Sequence, residues 1–162
     1  MTVEPNTIYI MTFERNRRHQ DINEQFHYST VIGSETGTHR VMHAVNTYSG
    51  IWSFKSKDHN GIFESRKLAS VTAIGNLSRS GKSVSDVESI LSSIEHRTPR
   101  ELGGRRLPYN CRVWVRVAIE RLHNEGVISI DDFDALMEEC HANGHQAIKD
   151  NKPLWAISAH AN

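Results

Sequence analysis

Cysteine is scarce in this chain: Cys111 and Cys140 are the two among 162 residues, and they are far apart. Two isolated thiols make no disulfide framework, and no Cys-x-x-Cys pair is present to seed a structural zinc site. Both read as free thiols of a reducing compartment, which implies a cytoplasmic protein. An excess of one charge is lacking too. Lys plus Arg and Asp plus Glu stand at 19 each, for a formal net charge of zero. That removes the general attraction for polyanions, and no nucleic-acid partner is expected. No apolar stretch approaches membrane-spanning length. The start, Met1 to Asn6, has no basic region followed by an apolar run, so it does not read as a secretory signal. Internal repeats and low-complexity linkers are absent as well. What is present, 38% hydrophobic and 23% charged residues, suits one soluble domain over residues 1–162, long enough to bury most of its apolar surface.

Hydrophobic periodicity divides the chain into strands first and helices later. Thr7 to Phe13 reads as a first strand, and Glu14 to Glu24 as a polar loop. Gln25 to Gly33 and Thr38 to Val45 read as two strands rich in β-branched and aromatic residues, joined by the turn Ser34-Glu35-Thr36-Gly37. Gly50 to Ser56 and Ser65 to Ile74 continue the strand pattern. A short helix begins near Ser83, with Ser85 and Glu88 as a plausible capping box and apolar positions 84, 87, 90, 91 and 94 on one face. Asn110 opens a second helix that Gly126 ends, and Ser129 to Asp132 begin a last helix reaching about Ile148. The tail Ala159 to Asn162 has no clear pattern.

The most informative stretch is Asn110-Cys111-Arg112-Val113-Trp114-Val115. Asn110 is a natural N-cap, because its side-chain oxygen can accept a bond from a first-turn amide. Cys111 then takes the first helical position, where the positive end of the helix favours thiolate over thiol. Apolar or small residues also recur at 111, 114, 115, 118, 119 and 122, so Cys111 equally fits a buried stripe. A cysteine nucleophile needs a base, normally a histidine held by a third group. Along the first hairpin strand Phe26, Tyr28, Thr30 and Ile32 share one face, and His27, Ser29 and Val31 share the other. Val41, His43 and Val45 share a face in the second. A hairpin can therefore bring His27 beside His43, in a register that local sequence leaves open.

A His-aromatic strand, a second strand carrying Arg40-Val41-Met42-His43, and a later Asn-Cys-x-x-aromatic-Val opening a helix together resemble the circularly permuted papain-like cysteine enzymes. The closest comparison is their lecithin:retinol acyltransferase-like branch. The resemblance covers roughly residues 24–126. It implies His27 as base, Cys111 as nucleophile and His43 as the group that orients His27. His43 fits that third role better than His39, which lies at the strand entrance. The long segment between hairpin and cysteine carries a helix of its own and matches no particular member.

Other constellations carry less. His141 and His145 have the i, i+4 spacing of two metal ligands, but a zinc site wants more, and exposed histidines on a polar helix face are expected, with no metal and no cofactor. Ser78 to Ser83 approximates a phosphate loop, yet Gly75 comes one residue too early for the spacing. Arg97, Arg100, Arg105 and Arg106 precede the cysteine. They form either a solvated connector or a substrate-anchoring loop suited to a carboxylate or phosphate, with Arg105 and Arg106 nearest Cys111. Trp52 and Trp114 read as core, and Trp114 can also shape a pocket wall. The expected fold is α+β: a small antiparallel sheet of about four or five strands packed against the cysteine helix, permuted papain-like. The expected chemistry is acyl transfer to or from a small-molecule or peptide substrate through an acyl-Cys111 intermediate. The Cys111 amide, set by the Asn110 cap, would help bind the oxyanion. Hydrolase and acyltransferase stay together, and a non-catalytic binding module is the competing class.

Overall fold

The first strand, β1 (Thr7–Glu14), is buried on both faces from Thr7 to Thr12, so it must lie inside a sheet that is covered on both sides. A computed structural model of the chain, which describes residues 2–15, 25–46 and 50–162, places it there. β2 (Phe26–Ile32), β3 (Thr38–Asn46), β4 (Trp52–Asn60) and β5 (Leu68–Asn76) pair antiparallel around it. A sixth strand, β6 (Leu154–Ile157), adds parallel to β5, giving the order β4-β3-β2-β1-β5-β6. The sheet is thus larger than four or five strands and not wholly antiparallel. β6 is short and only half-buried, and its pairing with β5 brings it into the sheet, so its local pattern gives little sign of it. The architecture is α+β. The loop expected from Glu14 loses Glu14 itself to β1, and residues 16–24 lie outside the described residues.

Three helices follow the strands: α1 (Val84–Ser92), α2 (Cys111–Asn124) and α3 (Phe133–Asp150). Their starts are set by side-chain caps. Ser83 and Asp86, rather than Ser85 and Glu88, form the capping box of α1. The cap lies two residues upstream because Ser83 retains extended backbone while Ser85 is already helical. The Asn110 side chain accepts from the Val113 amide at 3.0 Å, and Asp132 caps α3. Gly126, at φ 73°, turns the chain out of α2 in a conformation that costs glycine little.

The helices cover one face of the sheet. Ile8, Ile10, Phe26, Tyr28, Met42 and Ala44 point into that layer, where they meet Cys111, Trp114, Leu122, Met137 and Cys140. Trp114 is completely buried, as its position on the stripe implies, and Trp52 packs at the edge of the same core. The other face carries a smaller cluster of Tyr9, Met11, Val31, Val41 and Val71. It is closed by Ile62 and Phe63 of a short 3-10 turn and by Trp155 of β6. No helix among the described residues is long and apolar enough to cross a membrane.

Phe26 is held especially closely. A Cβ on Gly144 of α3 would lie 2.8 Å from Phe26 Cζ and 2.9 Å from Cε2. Glycine in mid-helix costs about 1 kcal/mol relative to alanine, but forcing a methyl into a packed ring costs about 1–3 kcal/mol. Gly144→Ala is therefore expected to lower stability despite its better helix propensity, read as a lower urea midpoint with an unchanged slope.

Candidate functional site

The hairpin register puts Val31 opposite Val41 and Thr30 opposite Met42, and this brings His27 and His43 together. His27 Nε2 and His43 Nδ1 are 2.8 Å apart, one donating and the other accepting. Ser29 Oγ lies 3.3 Å from the same His43 nitrogen. His39 is not part of this cluster. It accepts a bond from the Ser34 amide at 3.1 Å and its ring packs edge-on against Phe63, so it secures the hairpin end. Lys55 and Lys57 of β4 stand opposite His43 and Val41.

Electrostatics keep both imidazoles neutral. His27 is lowered from 6.5 to about 3, mainly by burial and then by the charges of His43 and Arg15. His43 is lowered to about 4, again mainly by burial and then by Lys57 and Lys55. The linkage to stability has a definite sign. Well above pH 6.5 neither folded nor unfolded chain protonates these groups, and their contribution is complete. Below that, the unfolded chain takes up protons that the folded pair refuses, so stability falls with pH, by at most about 1.4 kcal/mol per pH unit for each such histidine. Urea unfolding at about pH 7.5 and about pH 5 is expected to show this loss, with His27→Gln plus His43→Gln showing a smaller one. His39 and His96, also lowered chiefly by burial, supply part of the remainder.

Cys111 lies at the first position of α2 and is completely buried. The Arg15 guanidinium donates to its sulfur, Nη2 to Sγ 3.0 Å, and the thiol is 3.9 Å from the Phe26 carbonyl. That carbonyl belongs to the peptide joining Phe26 to His27, so the helix start abuts the start of the histidine strand. Side chains alternate there. Phe26 and Tyr28 face the helices with Cys111, whereas His27 and His43 share the opposite face with Val31 and Val41. No direct hydrogen bond joins His27 to Cys111. Among the described residues Arg15 bears on both, bonded to the sulfur and close enough to His27 to oppose its protonation.

The arginine-rich segment borders a cleft of about 960 Å³ whose walls include Ile94, Arg97, Arg100, Arg105, Tyr109 and Arg121. Arg106 is exposed and does not line it. Tyr109, two residues before the cysteine, forms part of the wall. Its hydroxyl is raised above its ordinary pKa, first by burial and then by the nearby Cys111. Cys140 is a different case from Cys111. It is buried in α3, and burial pushes its thiol up to about 12, so it stays protonated.

Three contributors were not legible from local sequence. Arg15 sits in a polar stretch after β1 and reaches a sulfur 96 residues away. Ser29 shows its role only once the register is known. Tyr28 donates or accepts across the core to His141 of α3, 3.0 Å away. The sequence model of a family of unknown function, DUF6540, matches residues 8–129, the span from β1 to just beyond α2. No curated protein and no solved structure matches the chain.

Proposed function

We propose that this chain, which belongs to the DUF6540 family, is a cysteine-dependent hydrolase or acyltransferase on a permuted papain-like fold, with Cys111 as nucleophile. The observation that carries this reading is the sulfur's position. It stands at the capped start of α2, receives a bond from a guanidinium, and lies beside the peptide that leads into His27. A cation and a helix N-terminus both favour thiolate. The order of parts also supports it: histidine strand, second histidine strand, then a helix opened by Asn-Cys.

The chemistry follows from these groups. His27 is neutral at working pH and so has a lone pair to offer, although burial and Arg15 oppose its protonation and make it a weak base before substrate binds. When its Nε2–H donates to His43 Nδ1, the free lone pair lies on Nδ1. The thiol proton passes to His27 as sulfur attacks an amide, ester or thioester carbonyl. The Cys111 amide faces the developing oxyanion. Collapse expels the leaving group, which takes the proton from His27, and water or another nucleophile then releases the acyl group. His43 orients His27. Because the two side chains face opposite sides of the sheet, this transfer requires the start of β2 to turn His27 toward the Cys111 side when substrate binds. The cleft beside Tyr109 is the proposed substrate channel, where Arg105 would hold an acidic group on a small-molecule or peptide substrate.

One observation favours a second reading. His27 and Cys111 occupy opposite sheet faces with no bond between them, as suits a binding module that uses the cleft without catalysis. Two measurements separate the readings. Iodoacetamide is expected to label Cys111 faster than Cys140. Incubation with a panel of acyl esters, thioesters and peptide amides is expected to leave a mass increment on Cys111. Cys111→Ser removes that increment, His27→Ala slows its formation by about 10²-fold or more, and His39→Ala leaves it unchanged. Labelling no faster than Cys140 and no increment with any donor would leave the binding module. With a substrate in hand, Arg105→Ala raises KM with kcat little changed, whereas Arg106→Ala does neither.

A further inference from the structure

We infer that His141 and His145 of α3 form a two-imidazole site for a first-row divalent transition-metal ion, independent of the proposed thiol chemistry. The i, i+4 spacing puts both on one helix face. Their Nε2 atoms are 3.0 Å apart and their ring centres 4.5 Å apart. Two imidazoles whose Nε2 atoms each lie about 2.1 Å from one ion and meet at a right angle hold those nitrogens about 3.0 Å apart and the ring centres about 4.6 Å apart. A straight N–H···N hydrogen bond of the same length would separate the ring centres by about 5.3 Å. The observed ring-centre distance is that of the convergent arrangement rather than of a straight hydrogen bond, and without an ion the two nitrogens make a bent hydrogen bond.

The surroundings fit a ligand pair. A metal-bound histidine usually uses its other ring nitrogen to bond an orienting partner. His141 Nδ1 has one in the Tyr28 hydroxyl, 3.0 Å away; in the tautomer where Nδ1 donates to that hydroxyl, the ring's lone pair lies on Nε2. Both rings pack edge-on against Phe26, at 5.7 and 5.2 Å, so their rotations are limited before any ion arrives. Arg112 lies over the Tyr28 ring and is paired with Glu138 at 2.7 Å, which offsets its charge. His145 is exposed and His141 half-buried, so an ion has access from solvent. Among the described residues no third His, Cys, Asp or Glu joins the pair. Two neutral imidazoles without thiolate suit Cu²⁺, Ni²⁺ and Zn²⁺ rather than Mg²⁺ or Ca²⁺.

Calorimetric titration of the full chain with NiCl₂, in a non-chelating buffer near neutral pH, tests the site. One Ni²⁺ per chain is expected to bind in the micromolar range, with Cu²⁺ tighter and Zn²⁺ of the same order. His145→Ala, an exposed change that leaves the fold intact, is expected to weaken Ni²⁺ about tenfold or more. Tyr28→Phe, which keeps the ring and removes only the orienting hydroxyl, is expected to weaken it by a smaller factor. Cys111→Ser is expected to bind as the unaltered chain does, which separates this site from the thiol reading. Equal Ni²⁺ affinity in the unaltered and His145→Ala proteins would overturn the inference, as would binding no tighter than millimolar in the unaltered chain.

Discussion

Everything at the candidate sites depends on the two-residue alternation of β2. Because Phe26 and Tyr28 must enter the helix layer, His27 and Ser29 are sent to the other side of the sheet. The same strand thus supplies the surface against which Cys111, His141 and His145 pack and, one residue over, the histidine pair. A shift of one residue would set the imidazoles and Ser29 among the apolar side chains of the helix layer and drive two aromatic rings into the smaller cluster on the other face, undoing the packing of both. The register is therefore strongly held.

Phe26 is the point at which these parts meet. Its ring fills the space over Gly144 and receives the edges of His141 and His145, and its carbonyl stands next to the Cys111 sulfur. α2 and α3 are consequently tied to one residue at the end of one strand. Arg15, leaving β1 beside it, adds a charge that reaches the sulfur and bears on His27. A cation between a thiol and a neutral imidazole favours proton loss from the first and discourages proton gain by the second. Any acyl chemistry here must work within that balance.

The two histidine pairs differ in their surroundings. His27 and His43 are neutral because burial makes charge costly, and they are joined to each other by a hydrogen bond. His141 and His145 stand at the solvent boundary, braced by a hydroxyl and an aromatic ring. The first pair is held neutral by its surroundings, whereas the second has one exposed member, as the proposed ion site requires.

Local sequence determined much of this. Period-two runs identify β1 to β5, period-3.6 runs identify the helices, and the Asn110 cap before Cys111 is readable because capping needs only neighbouring residues. The alternation placing His27 opposite Phe26 is readable as well, as is the capacity of His27 and His43 to meet. Tertiary structure decided the rest. Which sheet face the helices cover, and hence that Cys111 lies across the sheet from the histidines, depends on packing between elements some 85 residues apart. The partnership of Arg15 with Cys111 and of Tyr28 with His141, and the capture of Leu154–Ile157 by β5, arise in the same way. Propensity and capping act between near neighbours. Burial, register and long-range hydrogen bonds exist only after the chain has closed on itself.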